Sequence, residues 1–71
     1  GDKAKEWAKK ASKAKSAVSA ARHFMSMSNN LDSDVISKAE ELISEIEMAL
    51  EANDNTKAAG RGEKLNKLLT S

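Results

Sequence analysis

The chain has 71 residues, of which 32% are charged, with no cysteine, no proline and a formal net charge of +1. This length holds one domain, and the lack of cysteine excludes disulfides and thiolate metal sites. Both charge signs are well represented, which argues against disorder, and no apolar run approaches the ~18–20 residues that cross a bilayer. The basic N-terminus is followed by no apolar region, so it does not read as a secretory signal. With no thiol to oxidise, a reducing, cytoplasmic location is expected. Ala, Lys, Glu, Leu and Ser dominate and glycine is confined to Gly1, Gly60 and Gly62, so the expected class is all-α.

The first helix is expected over about 3–27. Ala4, Trp7, Ala11, Ala14, Val18, Ala21 and Met25 alternate spacings of three and four, a seam on one helical face. Most of these residues are alanine. The large groups Trp7, Val18, Phe24 and Met25 are therefore expected to supply most of the burial energy, at ~25 cal/mol per Å². The half up to Ala14 is expected to be the weakest part of the core. Ser26–Asn30 reads as a polar break. A second helix is expected over about 33–52, with Asp32 as N-cap, Leu31 stapled on Ile36, and a core stripe of Ile36, Ala39, Ile43, Ile46 and Leu50. This is the strongest stripe in the chain, so the middle helix is expected to anchor the fold. Asn53-Asp54-Asn55 ends it, with Asp54 or Asn55 capping a third helix over about 56–69, whose seam is Ala58, Gly62, Leu65 and Leu69. The two internal glycines predict a loose turn, or one held by tight packing against another backbone.

Charge follows the same division. Residues 1–28 carry seven basic and two acidic groups, residues 29–54 one basic and eight acidic, and residues 55–71 four basic and one acidic. An acidic helix flanked by two basic ones predicts an antiparallel three-helix bundle in which both neighbours attract the middle helix.

Residues able to do chemistry are few. His23 is the single histidine, without a nucleophile motif or a second ligand at helical spacing, and reads as a half-exposed structural histidine. Asn53-Asp54-Asn55 has no carboxylate at the twelfth position of a calcium loop in any register, and reads as a capping turn. Gly60-Arg61-Gly62 is too short for a phosphate loop and follows no strand. Lys3, Lys10 and Lys13 lie on one flank of the first helix's seam and Lys5, Lys9 and Lys15 on the other. With one Trp, one Phe and no Tyr there is no base-stacking platform, and an alanine seam is a poor membrane anchor. Neither nucleic acid nor a membrane is therefore the expected partner; the lysines read as a solvated face complementary to the acidic helix. Met25 reads as core, and Met27 as an exposed apolar contact. No catalytic residue, metal or cofactor is expected.

One stretch carries a family likeness. In LDSDVISKAEELISEIEMALEANDNTKAAGRGEKLNKLL, Leu31 opens a helix, Ala49-Leu50 closes it, a short turn with Asp54 follows, and Leu65 anchors a last helix. These spacings resemble the C-terminal helical lid of the 70-kDa heat-shock chaperone (DnaK) family over about 40 residues. Upstream, KAKSAVSAARHF, with Arg22, is similar in character to the preceding helix of that lid. Gly60 and Gly62 depart from the pattern, because the family usually has good helix formers there.

The resemblance implies a non-catalytic subdomain that closes over an extended polypeptide held by a β-sandwich and slows its release. The rest of a larger chaperone chain would then be its partner, and the abrupt start at Gly1 and stop at Ser71 would be those of an excised domain. The alternative reading is a freestanding three-helix protein-interaction module, with an apolar patch on two helices around Phe24, Met27 and Val35. The alanine-lined first helix also allows weak self-association.

Overall fold

The computed structural model describes residues 1–70 and contains three helices: α1 (Asp2–Met27), α2 (Ser33–Glu51) and α3 (Asn55–Thr70). They form the expected all-α three-helix bundle, with α1 and α3 running the same way and α2 antiparallel to both. The bundle is a rod of 45 × 17 × 17 Å. Its length follows from α1, whose 26 residues span ~39 Å at about 1.5 Å per residue.

The helix ends form for the reasons the sequence suggests. Asp32 caps α2, its carboxylate accepting the Asp34 amide at 3.0 Å. Leu31 and Ile36, the expected staple pair, are both half-buried. At the far end of α2, Asn53 takes a left-handed φ of 58°, which asparagine tolerates better than most residues. The turn is then closed by Asn53 N–H to the Leu50 carbonyl at 3.1 Å and Asp54 N–H to the Ala49 carbonyl at 2.8 Å, the two bonds of a Schellman motif. Asp54 next caps α3 by accepting the Lys57 amide at 3.1 Å.

α2 supplies the largest buried groups: Leu42, Ile43 and Ile46, with Ala39 and Ala49. α1 buries only Ala14, Ala17 and Ala21, and α3 buries Ala58, Gly62 and Leu65. Val18, Met25, Leu50, Leu68 and Leu69 pack around them half-exposed.

Two expectations about the packing are corrected. α2 is not the helix that both others lean on. α3 packs extensively against α1 on one side and α2 on the other, whereas α1 and α2 touch at few places. The two basic helices are therefore direct neighbours. The reason is steric: a Cβ added at Gly62 would stand 3.3 Å from the Ala17 Cβ and 3.5 Å from the Ala14 Cα, so α3 lies against α1 nearly backbone to backbone. The second correction concerns Trp7 and Phe24, which are 44% and 40% exposed and do not fill the α1 core. An interface of alanine against glycine leaves no room for a ring between the helices. Trp7 also lies level with the first turn of α3, at the end of the bundle, and residues 1–9 are all exposed.

Candidate interaction surface

The contact residues singled out in the sequence separate in the structure. Phe24 lies on the flank of α1 that borders α3. There it lines a small groove with Ala20, Ala21, Asn66, Leu69 and Thr70. Met27, one turn further on, is 71% exposed. Residues three apart on a helix are surface neighbours, so Phe24 and Met27 form one apolar strip. Val35, in the first turn of α2, is half-buried and presents only part of its side chain. The exposed patch therefore rests on α1 with the C-terminal turns of α3, rather than on α1 with α2.

Other residues take structural places. His23 is exposed on α1 rather than half-buried beside the core, and its side chain makes no hydrogen bond among the described residues; its carbonyl accepts the Ser26 hydroxyl at 2.8 Å. The Asn53–Asn55 turn is occupied with the helix bonds given above, and no group of three or more His, Cys, Asp or Glu side chains among the described residues is placed to hold a metal. Met25 is half-buried against the core, and Met48 joins Met27 at the surface, 66% exposed. The grooves on the rod are shallow and open, lined by lysines, glutamates and small residues. What this surface offers is contact area and charge.

Ion pairs tie each helix to the other two. Lys13 on α1 meets Glu63 on α3 at 2.6 Å, Arg22 on α1 meets Glu47 on α2 at 3.4 Å, and Arg61 on α3 meets Glu45 on α2 at 3.6 Å. The lysines of α1 thus find complementary groups mainly on α3: Lys13 its one acidic residue, and Lys10 the Thr56 hydroxyl at 3.2 Å. The Lys13 ammonium, by hydrogen bond and by charge, holds the Glu63 carboxyl below its ordinary value.

One residue escapes a reading based on capping alone. Asn55 is 7% exposed, and its side-chain amide donates to the Trp7 carbonyl oxygen at 2.9 Å, joining the first turn of α3 to the projecting part of α1. Its signal is present in the sequence, because Asn55, Ala58, Gly62, Leu65 and Leu69 keep alternating spacings of three and four, which puts Asn55 on the buried seam.

No family model, curated protein or solved structure matches this chain. Among the described residues, no helix is long and apolar enough to cross a membrane.

Proposed function

We propose that this chain is a non-catalytic helical domain that works by protein contact, as the lid subdomain of a cytoplasmic peptide-binding chaperone of the 70-kDa heat-shock family. The observation that carries the reading is the form of α1. It is the longest helix, its first nine residues are exposed, and the turn before Trp7, whose carbonyl meets Asn55 in the first turn of α3, extends past that helix. A helix of that kind suits an arm joining a bundle to a neighbouring domain. The likeness from Leu31 to Leu69 supports the same reading, and a lid acts kinetically, by slowing the escape of a bound peptide, which needs no reactive side chain.

A specific observation favours the second reading, a freestanding interaction module. The strip of Phe24 and Met27 beside the Leu69 groove is a small apolar docking face of the size a helix or short peptide covers. The intact mass of the native protein, followed with an antibody raised against this chain, separates the two. A mass far above 7.6 kDa, with a peptide-binding β-sandwich upstream, is the expected result. Deleting this segment from that longer protein should then speed release of a bound fluorescent peptide. A native mass near 7.6 kDa would overturn the lid reading and leave the module.

A further inference from the structure

The exposed opening turns of α1 are themselves two-faced. On the helical wheel Ala4, Trp7, Ala8 and Ala11 share a face, continuing the stripe that is buried further along the helix. Here the stripe is uncovered: Ala4, Trp7 and Ala8 are exposed and Ala11 is half-exposed. Lys3 and Lys10 border it on one side, in a shallow groove that Trp7 shares with Asp2 and Glu6; Lys5 borders it on the other, and Lys15 stands at its C-terminal end beside Ala8 and Ala11. Among the described residues Lys3, Lys5 and Lys15 have no ion-pair partner. This is a seam of small residues with one large aromatic group and a cationic rim on either side.

The complementary face is on α2. Its outward side carries Ser37, Ser44 and Met48 along one line, all exposed, with Met48 the large apolar group at 66%. Glu40, Glu47 and Glu51 border that line on one side and Glu41 on the other. Small residues again permit close approach and one large side chain stands out, but the rims are anionic. Glu40 and Glu51 make no ion pair among the described residues. The two faces cannot meet within one molecule, because the α2 face points away from the bundle.

We infer that the exposed face of the opening turns of α1 docks on the outward face of α2 of a second copy of this chain, Trp7 packing near Met48 with the lysines against the glutamates. The charge and the small-residue seams select a second copy over an unrelated protein, since each copy carries both halves of the match. The contact spans only about three turns, so it belongs with small, wet and weak interfaces whose strength is sensitive to salt. The inference draws on the same opening turns of α1 as the lid reading but is tested on this chain alone, and the docking faces exclude the Phe24–Met27 strip.

The test is sedimentation equilibrium of the full chain from about 10 μM to about 1 mM, at low and at moderate ionic strength. The expected result is a mass that rises with concentration, with an association constant that falls ~tenfold or more when salt is added. A charge exchange then identifies the faces. A variant with Lys3→Glu, Lys5→Glu and Lys15→Glu, and a second with Glu40→Lys and Glu51→Lys, should each remain monomeric, and mixing the two should restore association. Circular dichroism confirms that both variants are folded, since every substituted side chain is exposed. Met27→Gln, outside both faces, should associate like the parent chain. A parent chain that stays monomeric at the highest concentration and lowest salt overturns the inference. So does a mixture of the two variants that fails to associate, or a loss of association caused by Met27→Gln.

Discussion

Gly60 and Gly62 stand two residues apart in α3 and meet opposite surroundings. Nothing lies within 4 Å of a Cβ placed at Gly60, whereas one at Gly62 crowds the Ala17 methyl at 3.3 Å and touches the Ala14 backbone at 3.5 Å. Gly60→Ala should therefore add about 1 kcal/mol from helix propensity alone, raising the melting midpoint by about 4–8 °C. Gly62→Ala gains the same propensity but must shift the Ala17 methyl by a few tenths of an ångström in a close helix contact, at a cost of about 1–3 kcal/mol, so its midpoint should not rise. A thermal melt of the two variants side by side checks the contrast; equal gains would mean that the helices are not in close approach. Asn55 carries the other polar constraint of the interior. Asn55→Ala removes its bond to the Trp7 carbonyl and should cost about 0.5–1.5 kcal/mol. Amide hydrogen exchange should speed up first in the opening turns of α1. Glu63 titrates below 4.5 because Lys13 bonds its charged form. Its pairing therefore stabilises the fold at pH above 4.5, and that contribution is lost as the pH falls through the lowered value. NMR titration of the carboxyl in Lys13→Met should return it to the ordinary glutamate range.

Among the elements, α2 carries the largest buried side chains while α3 makes the most extensive contacts, and the fold needs both. Ile46 and Leu65 are each fully buried. Ile46→Ala and Leu65→Ala should each cost ~2–5 kcal/mol, comparable to the ~3–5 kcal/mol that a core of this size supplies. Both variants are expected to be largely unfolded by circular dichroism at 25 °C. Trp7→Ala should cost about 1 kcal/mol or less despite the size of the side chain, because the indole is 44% exposed at the end of the rod. A tryptophan deletion as damaging as the leucine would place the core at the wrong end of α1. The α2–α3 hinge is rigid for local reasons: a Schellman turn at Asn53 runs directly into an Asp54 cap, so no free residue separates the helices.

The whole molecule is a rod braced, among the described residues, by one surface ion pair between each two helices, Lys13–Glu63 and Arg22–Glu47 exposed and Arg61–Glu45 half-buried. Each pair is weak alone and screened by salt. Together they predict a stability that declines between low and moderate ionic strength, which a urea melt at two salt concentrations measures; an unchanged midpoint would mean that the pairs do not contribute. The same screening weakens the proposed contact between copies, so the melt belongs at a low protein concentration where only the single chain is present.

The sequence by itself determined the number of helices and where they end. Periodicity of three and four, an aspartate at each of two helix starts and an asparagine at a turn are local signals, and local hydrogen bonds decide those features. It also marked Met27 as exposed, but it left Gly60 and Gly62 together between a loose turn and tight packing, which the structure divides between them. What it left open was which helix sits between the others and which large side chains are buried. Apolar stripes show that a face is covered, not by what, and a stripe of alanine reads the same whether it is core, as at Ala14, or bare, as at Ala4. The acidic middle block suggested that α2 lies between basic neighbours. Close approach of glycine to alanine instead placed α3 there, because contact between backbones at short range outweighs screened attraction between exposed charges. That packing alone determined that Trp7 lies at the end of the rod and that Asn55, which the spacing of α3 already puts on the buried seam, bonds to the Trp7 carbonyl.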